Sequence, residues 1–158
     1  MKAIILNKNN EILLLKEARY KDKKSGFYRE DGGMYDLPGG WLDWGEDFRT
    51  GLMREVKEEM WISYENFLVA DSPLYIQLTE LDDRYHKDEN EDDFYPVLMM
   101  YYPVKILDLH FGTSDECIDI IWLPIEKFGE KQIWSHSASL AQIFQKEDFP
   151  KSLITSQE

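Results

Sequence analysis

The sequence predicts an α+β fold, a mixed α/β/α sandwich with a mixed β-sheet packed between helices. Apolar segments follow one another in the order strands, helix, strands, helix, which is typical of this class. The chain has 158 residues, of which 43% are hydrophobic and 14% aromatic, so it can bury one sizeable core. We therefore expect a single domain over residues 1–158, with residues 147–158 as a loose C-terminal tail.

The first strands are predicted from two apolar runs that flank a polar turn. Residues 2–7 and 11–16 lie on either side of that turn, which indicates a hairpin or a pair of adjacent strands. The polar, glycine-containing segment 17–33 follows and predicts a long loop. Residues 34–38 then predict a short strand that ends at a proline.

The central helix is predicted from a change of hydrophobic period. Residues 39–46 read as a glycine-bracketed turn region, and residues 47–60 follow it. In this second stretch, apolar side chains recur every four residues, at Phe48, Leu52, Val56 and Met60. Such spacing predicts one buried stripe along a helix.

The second half of the chain predicts further strands and two helical segments. The strands are expected at 67–81, with a break near Ser72–Pro73, at 95–107 and at 116–124. The helical segments are expected at 125–128 and at 135–146, the latter with a serine as N-cap candidate. The aromatic run 95–107 leaves two roles open, one in the core and one in a homodimer interface.

The charge of the chain restricts its partners. It carries 31 acidic and 18 basic residues, for a formal net charge of -13. Such a surface repels nucleic acid polymers and anionic membranes at long range, so we expect neither as a partner. The acidity either serves solubility alone or requires that an anionic substrate be bound through a divalent cation.

The apolar segments and the cysteine content indicate the compartment. The sequence has no apolar run long enough to span a membrane as a helix. Residues 1–15 turn polar too early for a signal peptide. The single Cys117 excludes an internal disulfide and fits a reducing compartment, so we expect a cytoplasmic location.

Three glutamates crowd the C-terminal end of the predicted central helix. Glu55, Glu58 and Glu59 are spaced i, i+3 and i+4, which places like charges together on one helix surface. They also face the negative end of the helix dipole. Two interpretations are open, a solvated acidic patch and a site for a hard cation such as Mg²⁺ or Mn²⁺.

Residues around the cluster favour the metal interpretation. Gly39 and Gly40 precede the helix, where a backbone without side chains can approach a ligand closely. Glu46 lies at the expected helix start, where it either suits the helix dipole or turns toward Arg54 and holds it. Arg54 can also pair with Glu58 at i,i+4.

Taken together, these residues resemble the signature of the Nudix hydrolase family. Gly40 is followed by WLDWG and Glu46, then by DFRTGLM, and then by REVKEE from Arg54 to Glu59, with every spacing as in that signature. The match runs to Ile62, and the preceding DLPGG is also similar to the family. The strand and helix order is similar to the Nudix fold along nearly the whole chain.

The resemblance implies hydrolysis of a phosphoanhydride bond in a nucleoside diphosphate linked to another group. A nucleoside triphosphate, a nucleotide sugar and ADP-ribose are the alternatives for this nucleotide-type small molecule. The implied cofactor is Mg²⁺ or Mn²⁺. The implied metal ligands are Glu58 and Glu59, with Glu55 beside them and the Gly40 carbonyl as a further ligand.

The resemblance also implies roles for the neighbouring side chains. Arg54 would orient Glu55 or Glu58, and Glu46 would hold Arg54. The general base is open between Glu55, within the signature, and Glu116 or Asp115, in the loop before the last strand. For the acidic loop 82–93 we favour a solvated surface.

Substrate contacts are less defined by the sequence. Trp41 and Trp44 flank the start of the signature and could stack on a nucleobase, as could Tyr101 and Tyr102, although aromatic residues on strands more often belong to the core. Among the basic residues of loop 17–33, Arg29 or Lys24 is the expected contact to phosphate or ribose, the alternative being a charged insertion.

One position departs from the family pattern. Trp61 stands where the family has glycine, after the helix, where a left-handed backbone is often needed. Tryptophan adopts that conformation poorly, so we expect a reshaped turn. Trp61 also supports the alternative function, a catalytically weak domain that binds a nucleotide or regulates without cleaving.

Overall fold

The computed structural model describes residues 1–18, 34–80, 96–130, 133 and 135–145. Most of the predicted loop 17–33, including Arg29 and Lys24, lies outside the described residues, as do loop 82–93 and the tail 147–158. The strands are β1 Lys2–Ile4, β2 Glu11–Glu17, β3 Tyr35–Asp36, β4 Phe67–Val69, β5 Tyr75–Glu80, β6 Pro96–Ile106 and β7 Cys117–Pro124. The helices are α1 Phe48–Met60, α2 Ser135–Ala138 and α3 Ala141–Phe144, with short 3₁₀ turns at Tyr64–Asn66 and Ile125–Glu130.

The described strands form two sheets around β6 and β2. β1 runs parallel to β6, while β4 and β5 pair antiparallel with successive parts of β6. β2 lies between β3 and β7 and is antiparallel to both. The break predicted near Ser72–Pro73 is confirmed, because β4 ends at Val69 and β5 begins at Tyr75.

β1 and β2 are adjacent only where the chain turns between them. Leu6 and Ile12 form an isolated antiparallel bridge, and the Leu13 amide donates to the Ile5 carbonyl. Beyond that bridge, the two strands enter different sheets. The hairpin predicted for 2–7 and 11–16 is thus limited to its turn.

The sheets are covered on both faces, as an α/β/α sandwich requires. One face packs Ala3, Ile5, Leu13 and Leu15 against Leu52, Val56 and Met60 of α1. The other packs Ile4, Leu6, Ile12 and Leu14 near Phe128, Leu140 and Phe144. Successive residues of β1 and β2 point to opposite faces, so each strand contributes to both cores. The predicted fold class is confirmed.

The last predicted helix is wrong as a single element. A turn at Ser139 and Leu140 separates α2 from α3. The Ser137 hydroxyl donates to Asp36 and the Ser139 hydroxyl donates to Gln77, so both serines bond to strands rather than to their own helix. Serine side chains that find such partners compete with helix continuation.

No helix in the described ranges combines the length and the apolarity needed to cross a membrane.

Candidate active site

Helix α1 starts at a cap that the sequence reasoning missed. Asp47 precedes the helix, and its Oδ1 accepts the backbone N–H groups of Arg49 and Thr50, each at 3.0 Å. These bonds satisfy donors that are left free in the first helical turn. The signal for this cap in the sequence was Asp47 followed three residues later by Thr50, whose backbone N–H the aspartate accepts. Because Asp47 caps the helix, its neighbour Glu46 is not needed at the dipole and is turned toward Arg54.

The buried stripe of α1 holds the helix against the sheets. Leu52, Val56 and Met60 are fully buried, whereas Phe48, the first predicted member, is 42% exposed. Burial of each large aliphatic side chain contributes about 1.5–3 kcal/mol, so this stripe fixes the position of α1. The opposite side of the helix then presents Arg54 and the glutamates.

A glycine inside the helix lets the preceding loop lie close. A Cβ at Gly51 would stand 2.8 Å from a methyl of Leu42 and 3.0 Å from Oε2 of Glu46. Glycine costs a helix interior about 0.5–1 kcal/mol, and here the close approach of the loop requires it. The approach brings Glu46 within reach of Arg54, one helical turn further on.

The loop that carries Gly39 and Gly40 is fastened along β1. The Ala3 amide donates to the Pro38 carbonyl at 2.7 Å. The amino group of Met1 donates to the Gly40 carbonyl, also at 2.7 Å. Gly39 has φ +122°, and a Cβ there would stand 2.4 Å from the Met1 carbonyl, so only glycine fits.

Gly40 makes room for a carboxylate of α1. A Cβ at Gly40 would lie 2.7 Å from the Glu55 carboxyl group. Glu55 therefore rests against bare backbone, where any side chain would displace it. The structure thus brings two of the predicted site residues together.

Arg54 lies at the centre of a charged cluster. Its Nε donates to Oε1 of Glu46 at 2.9 Å and its Nη2 donates to Oε2 of the same carboxylate at 3.0 Å. Its Nη1 donates to Glu55 at 2.8 Å. The Trp41 carbonyl accepts a further bond from Nη2 at 3.0 Å. These bonds join Glu46 and Glu55 through Arg54, and the roles predicted for the three residues in the site stay predictions.

The charges of this cluster reinforce one another. Hydrogen bonds from Arg54 lower the pKa of Glu46 below its ordinary value. The bonds to Glu46 and Glu55, in that order, raise the pKa of the Arg54 guanidinium. Glu58 is further away, 3.7 Å from Nη1, with a side chain that is 62% exposed. The i,i+4 pair with Glu58 is therefore the weaker contact of this arginine.

Glu59 lies beneath the glycine loop. Its Oε2 accepts the Gly39 amide at 2.6 Å. Loss of hydration on burial raises its pKa to about 8, against the opposing effects of Lys2 and of the Gly39 bond. The structure therefore leaves the charged form of Glu59 incompletely compensated, a condition that a bound cation would relieve.

The predicted ligands offer the atoms that a hard divalent cation prefers. Glu55, Glu58, Glu59 and the Gly40 carbonyl provide only oxygen, which suits Mg²⁺ and Mn²⁺. Across the described ranges, no group of three or more acidic, histidine or cysteine side chains is gathered closely enough to hold an ion. The residues fit the cation by donor chemistry and by the electrostatics of Glu59, and the ligand set itself stays a prediction.

The remaining site candidates differ in how far they are exposed to solvent. Trp41 is 61% exposed and Trp44 is fully exposed, so both indoles are accessible to a ligand. Tyr101 and Tyr102 are buried and belong to the core, which is the role that aromatic residues on strands more often have. Glu116 is exposed, and its carbonyl accepts the Ala18 amide.

The turn after α1 keeps its left-handed backbone despite the tryptophan. Trp61 has φ 51° and ψ 39°, and its side chain is 72% exposed. The expected reshaping of the turn is therefore wrong. The Gly112 amide reaches back to the Met60 carbonyl at 3.0 Å, which satisfies one of the acceptors left free at the helix end.

The fold is an α/β/α sandwich. Its charged cluster lies on a glutamate-rich helix behind a glycine loop. The chain belongs to the NUDIX family, because the NUDIX domain profile matches residues 1–145. The predicted membership of the family is confirmed. The family supports hydrolysis of nucleoside diphosphate derivatives in general, and its hydrolases generally use divalent metal ions.

Known proteins similar to the chain share its fold over most of its length. MutT from Methanosarcina mazei Go1 has a TM-score of 0.66 at 23% identity, over 93% of this chain and 91% of that one. The Escherichia coli dihydroneopterin triphosphate pyrophosphohydrolase has a TM-score of 0.65 at 17% identity, over 89% and 88%. A Caenorhabditis elegans Ap4A hydrolase has a TM-score of 0.59 at 20% identity, over 90% and 92%.

A curated relative matches in sequence over a shorter stretch. Nudix hydrolase 7 from Arabidopsis thaliana is 41% identical over 58 residues, which is 36% of this chain. The match spans 18% of that relative.

Proposed function

We propose that the chain hydrolyses a phosphoanhydride bond in a nucleoside diphosphate derivative, with Mg²⁺ or Mn²⁺ held by Glu55, Glu58, Glu59 and the Gly40 carbonyl. The observation that carries the proposal is the placement of the Glu55 carboxylate against the bare backbone of Gly40, 2.7 Å from where a Cβ would stand. A helix carboxylate and the loop backbone at Gly40 are thereby neighbours, as a shared ion would require.

The bound ion would neutralise phosphate oxygens and lower the pKa of the attacking water. The water oxygen bonds to one phosphorus, and the bridging P–O bond breaks, so that a phosphate or phosphate ester leaves. A proton of the attacking water passes to a carboxylate, the general base. Glu55 is our first candidate for this role, and Glu116 is the second. The hydrogen bond from Arg54 at 2.8 Å fixes the direction of the Glu55 carboxylate.

Arg54 and Glu46 act through position rather than through contact with substrate. The two-pronged pairing with Glu46 fixes the plane of the guanidinium, and Nη1 then has one direction in which to hold Glu55. We therefore expect Glu46 to hold Arg54 in place without binding the ion or the substrate itself. Its loss would loosen Arg54 before it affected any ligand.

We assign the binding of the substrate's nucleobase to the exposed tryptophans. Trp41 is tied to the site, since its carbonyl accepts a bond from Arg54. An indole next to the phosphate site can stack on a nucleobase, which is typically worth about 1–3 kcal/mol per base. Trp44 provides a second, more exposed surface of the same kind. Arg29, which lies outside the described residues, remains our predicted contact to phosphate.

A nucleotide-binding or regulatory module is the second candidate. The side chain of Glu58 is 62% exposed and lies 3.7 Å from Arg54, and this exposure favours the module over a formed metal site. The pairing of the Gly40 carbonyl with the Met1 amino group at 2.7 Å points the same way. A carbonyl oxygen has a second lone pair, so this bond does not prevent metal binding.

The experiment that separates the two candidates is product release from a nucleotide panel. The panel holds ordinary and oxidised nucleoside triphosphates, dihydroneopterin triphosphate, dinucleoside polyphosphates, ADP-ribose and nucleotide sugars. Each is tested with Mg²⁺, with Mn²⁺ and with EDTA. Cleavage that requires the metal establishes the enzyme and its substrate class. Binding of a nucleotide without cleavage of any compound establishes the module instead.

A further inference from the structure

A buried lysine lies behind the glycine loop, at a position that the hydrophobic pattern assigned to the core. The Lys2 side chain is 11% exposed and belongs to the otherwise apolar β1. Lysine is almost never buried unless it is paired. Its Nζ lies 2.5 Å from Oδ2 of Asp36 and donates to the carbonyls of Leu37, at 3.1 Å, and of Gly39, at 2.6 Å.

The partner carboxylate is itself fully engaged. Oδ1 of Asp36 accepts the Leu37 amide at 2.8 Å and the hydroxyl of the buried Ser137 at 2.7 Å. This network therefore connects β1, β3 and α2, and it ends at Gly39. Buried networks of this kind, when their members are satisfied, favour one arrangement of the backbone.

Gly39 connects the network to the proposed metal site. Its carbonyl accepts from Lys2 at 2.6 Å and its amide donates to Glu59 at 2.6 Å. The carbonyl of Gly39 shares a planar peptide unit with the amide of Gly40. A fixed Gly39 carbonyl therefore restricts the direction of the chain at Gly40. The Gly39 amide belongs to the preceding peptide unit, which lies between the Leu37 and Gly39 carbonyls that Lys2 holds.

We infer that Lys2 is a positioning residue for the metal site, which it serves by holding the Gly39 carbonyl while the Gly39 amide holds Glu59. The inference rests on the proposed function, because it assigns Glu59 and Gly40 to the ion. Lys2 itself does not touch the ion or the substrate. It acts at one remove, as outer partners do around metal ligands.

The test measures Mn²⁺ affinity by isothermal titration calorimetry without nucleotide, together with the melting temperature. Lys2→Met removes the ammonium and keeps much of the side-chain length, so that Asp36 loses its contact with Lys2. The double variant Lys2→Met/Asp36→Asn removes both charges of the pair, so that the net charge of the chain is unchanged. Removing both members of a buried pair costs far less stability than removing one.

Two control variants separate positioning from stability. Leu140→Ala opens a cavity in the core beneath α2 and α3, away from the glycine loop, and lowers the melting temperature by a different route. Lys105→Met removes an exposed lysine of β6 and matches the charge change of Lys2→Met. Neither control touches Gly39 or Glu59.

Positioning predicts a loss of Mn²⁺ affinity of about ten- to a hundredfold in Lys2→Met and also in the double variant. The double variant should recover most of the melting temperature and none of the metal affinity, because the Gly39 carbonyl still lacks its donor. Leu140→Ala and Lys105→Met should bind Mn²⁺ like the wild type. Wild-type affinity in the double variant, or equal losses in Leu140→Ala, would overturn the inference.

The same data distinguish this inference from the proposed function. If the wild type binds Mn²⁺ yet cleaves no compound of the nucleotide panel, the proposed hydrolysis fails and the Mn²⁺ ratios still decide the role of Lys2. If the wild type does not bind Mn²⁺, both fail together. If Lys2→Met does not fold, the double variant carries the decision.

Discussion

Two cations hold the two ends of the segment that leads into α1, and they do so in different surroundings. Lys2 holds residues 36–39 from the buried side, with one carboxylate and two carbonyls around its ammonium. Arg54 holds residues 41–46 from the outer side, with Glu46 and Glu55 as its main partners. The side chains of Lys2 and Asp36 are 11% and 6% exposed, whereas those of Arg54, Glu46 and Glu55 are 22%, 18% and 16% exposed.

Because their surroundings differ, we expect Lys2 to affect both folding and the site, and Arg54 to affect mainly the site. A buried pair that loses one member leaves an uncompensated charge, so Lys2 should affect folding as well as the site. Pairs that are less buried are screened more by water and contribute less to stability. Arg54 should therefore affect catalysis more than folding. The two regions meet at Glu59 and Glu55, which contact Gly39 and Gly40 respectively.

The largest expected effect is the loss of stability in Lys2→Met. We expect the free energy of unfolding to fall by about 3–5 kcal/mol, since Asp36 stays buried and loses the ammonium of Lys2. Urea denaturation monitored by tryptophan fluorescence measures this. Lys105→Met should stay within about 0.5 kcal/mol of the wild type, as exposed substitutions generally do. A Lys2→Met variant as stable as that control would remove the contrast between the two cations.

The next effect concerns Glu58, at the rim of the Arg54 cluster. Glu58→Gln should cut turnover at least about a hundredfold, because it removes a proposed metal ligand. Steady-state kinetics on the compound cleaved best in the nucleotide panel measures the loss. Glu65→Gln, at an exposed acid of the following 3₁₀ turn, provides the control and should leave turnover unchanged. Near-normal turnover in folded Glu58→Gln would exclude Glu58 as a ligand.

A smaller loss is expected when Arg54 keeps its charge and loses its shape. Lysine cannot hold Glu46 through two parallel bonds and Glu55 through a third. Arg54→Lys should therefore lower kcat about tenfold and leave KM and the melting temperature close to the wild type. A drop in melting temperature as large as that of Lys2→Met would show that Arg54, too, supports the fold.

The smallest effect sharpens the comparison at the far end of α1. Trp61→Gly should raise the free energy of unfolding by about 1 kcal/mol, because glycine adopts the left-handed backbone without strain. Trp61→Ala, which removes the indole and keeps the strain, should not be stabilised. Thermal denaturation of both variants measures the difference. Equal stabilities would assign the effect to the exposed indole rather than to the backbone.

The sequence was sufficient for the features that depend on spacing. The apolar stripe of Leu52, Val56 and Met60 predicted the position of α1, and the spacing of Gly40, Glu46 and Arg54 along the sequence identified the family. Both follow from periodicity and fixed gaps, which a sequence displays directly. The residue that caps α1, Asp47, was visible beside Glu46 but competed with it for the same position.

Features that depend on contacts distant in sequence were not predictable. Lys2, Asp36 and Ser137 are far apart along the chain, and of the three only Asp36, the first residue of DLPGG, stands in a stretch that resembles the family. The break between α2 and α3 follows from bonds of two serines to strands, which propensity alone does not reveal. The left-handed Trp61 shows that the turn held its shape where local preference opposed it.

The most direct test of the account is Mn²⁺ binding to Glu59→Gln, because Glu59 is where the two regions meet. Glutamine keeps an acceptor for the Gly39 amide and removes the charge that a cation would compensate. We predict that Mn²⁺ affinity, measured by calorimetry, falls at least about tenfold while the melting temperature holds or rises. The control Glu65→Gln should bind like the wild type. Unchanged Mn²⁺ affinity in Glu59→Gln would contradict the account, since the proposed metal site would then not include the carboxylate that the Gly39 amide holds.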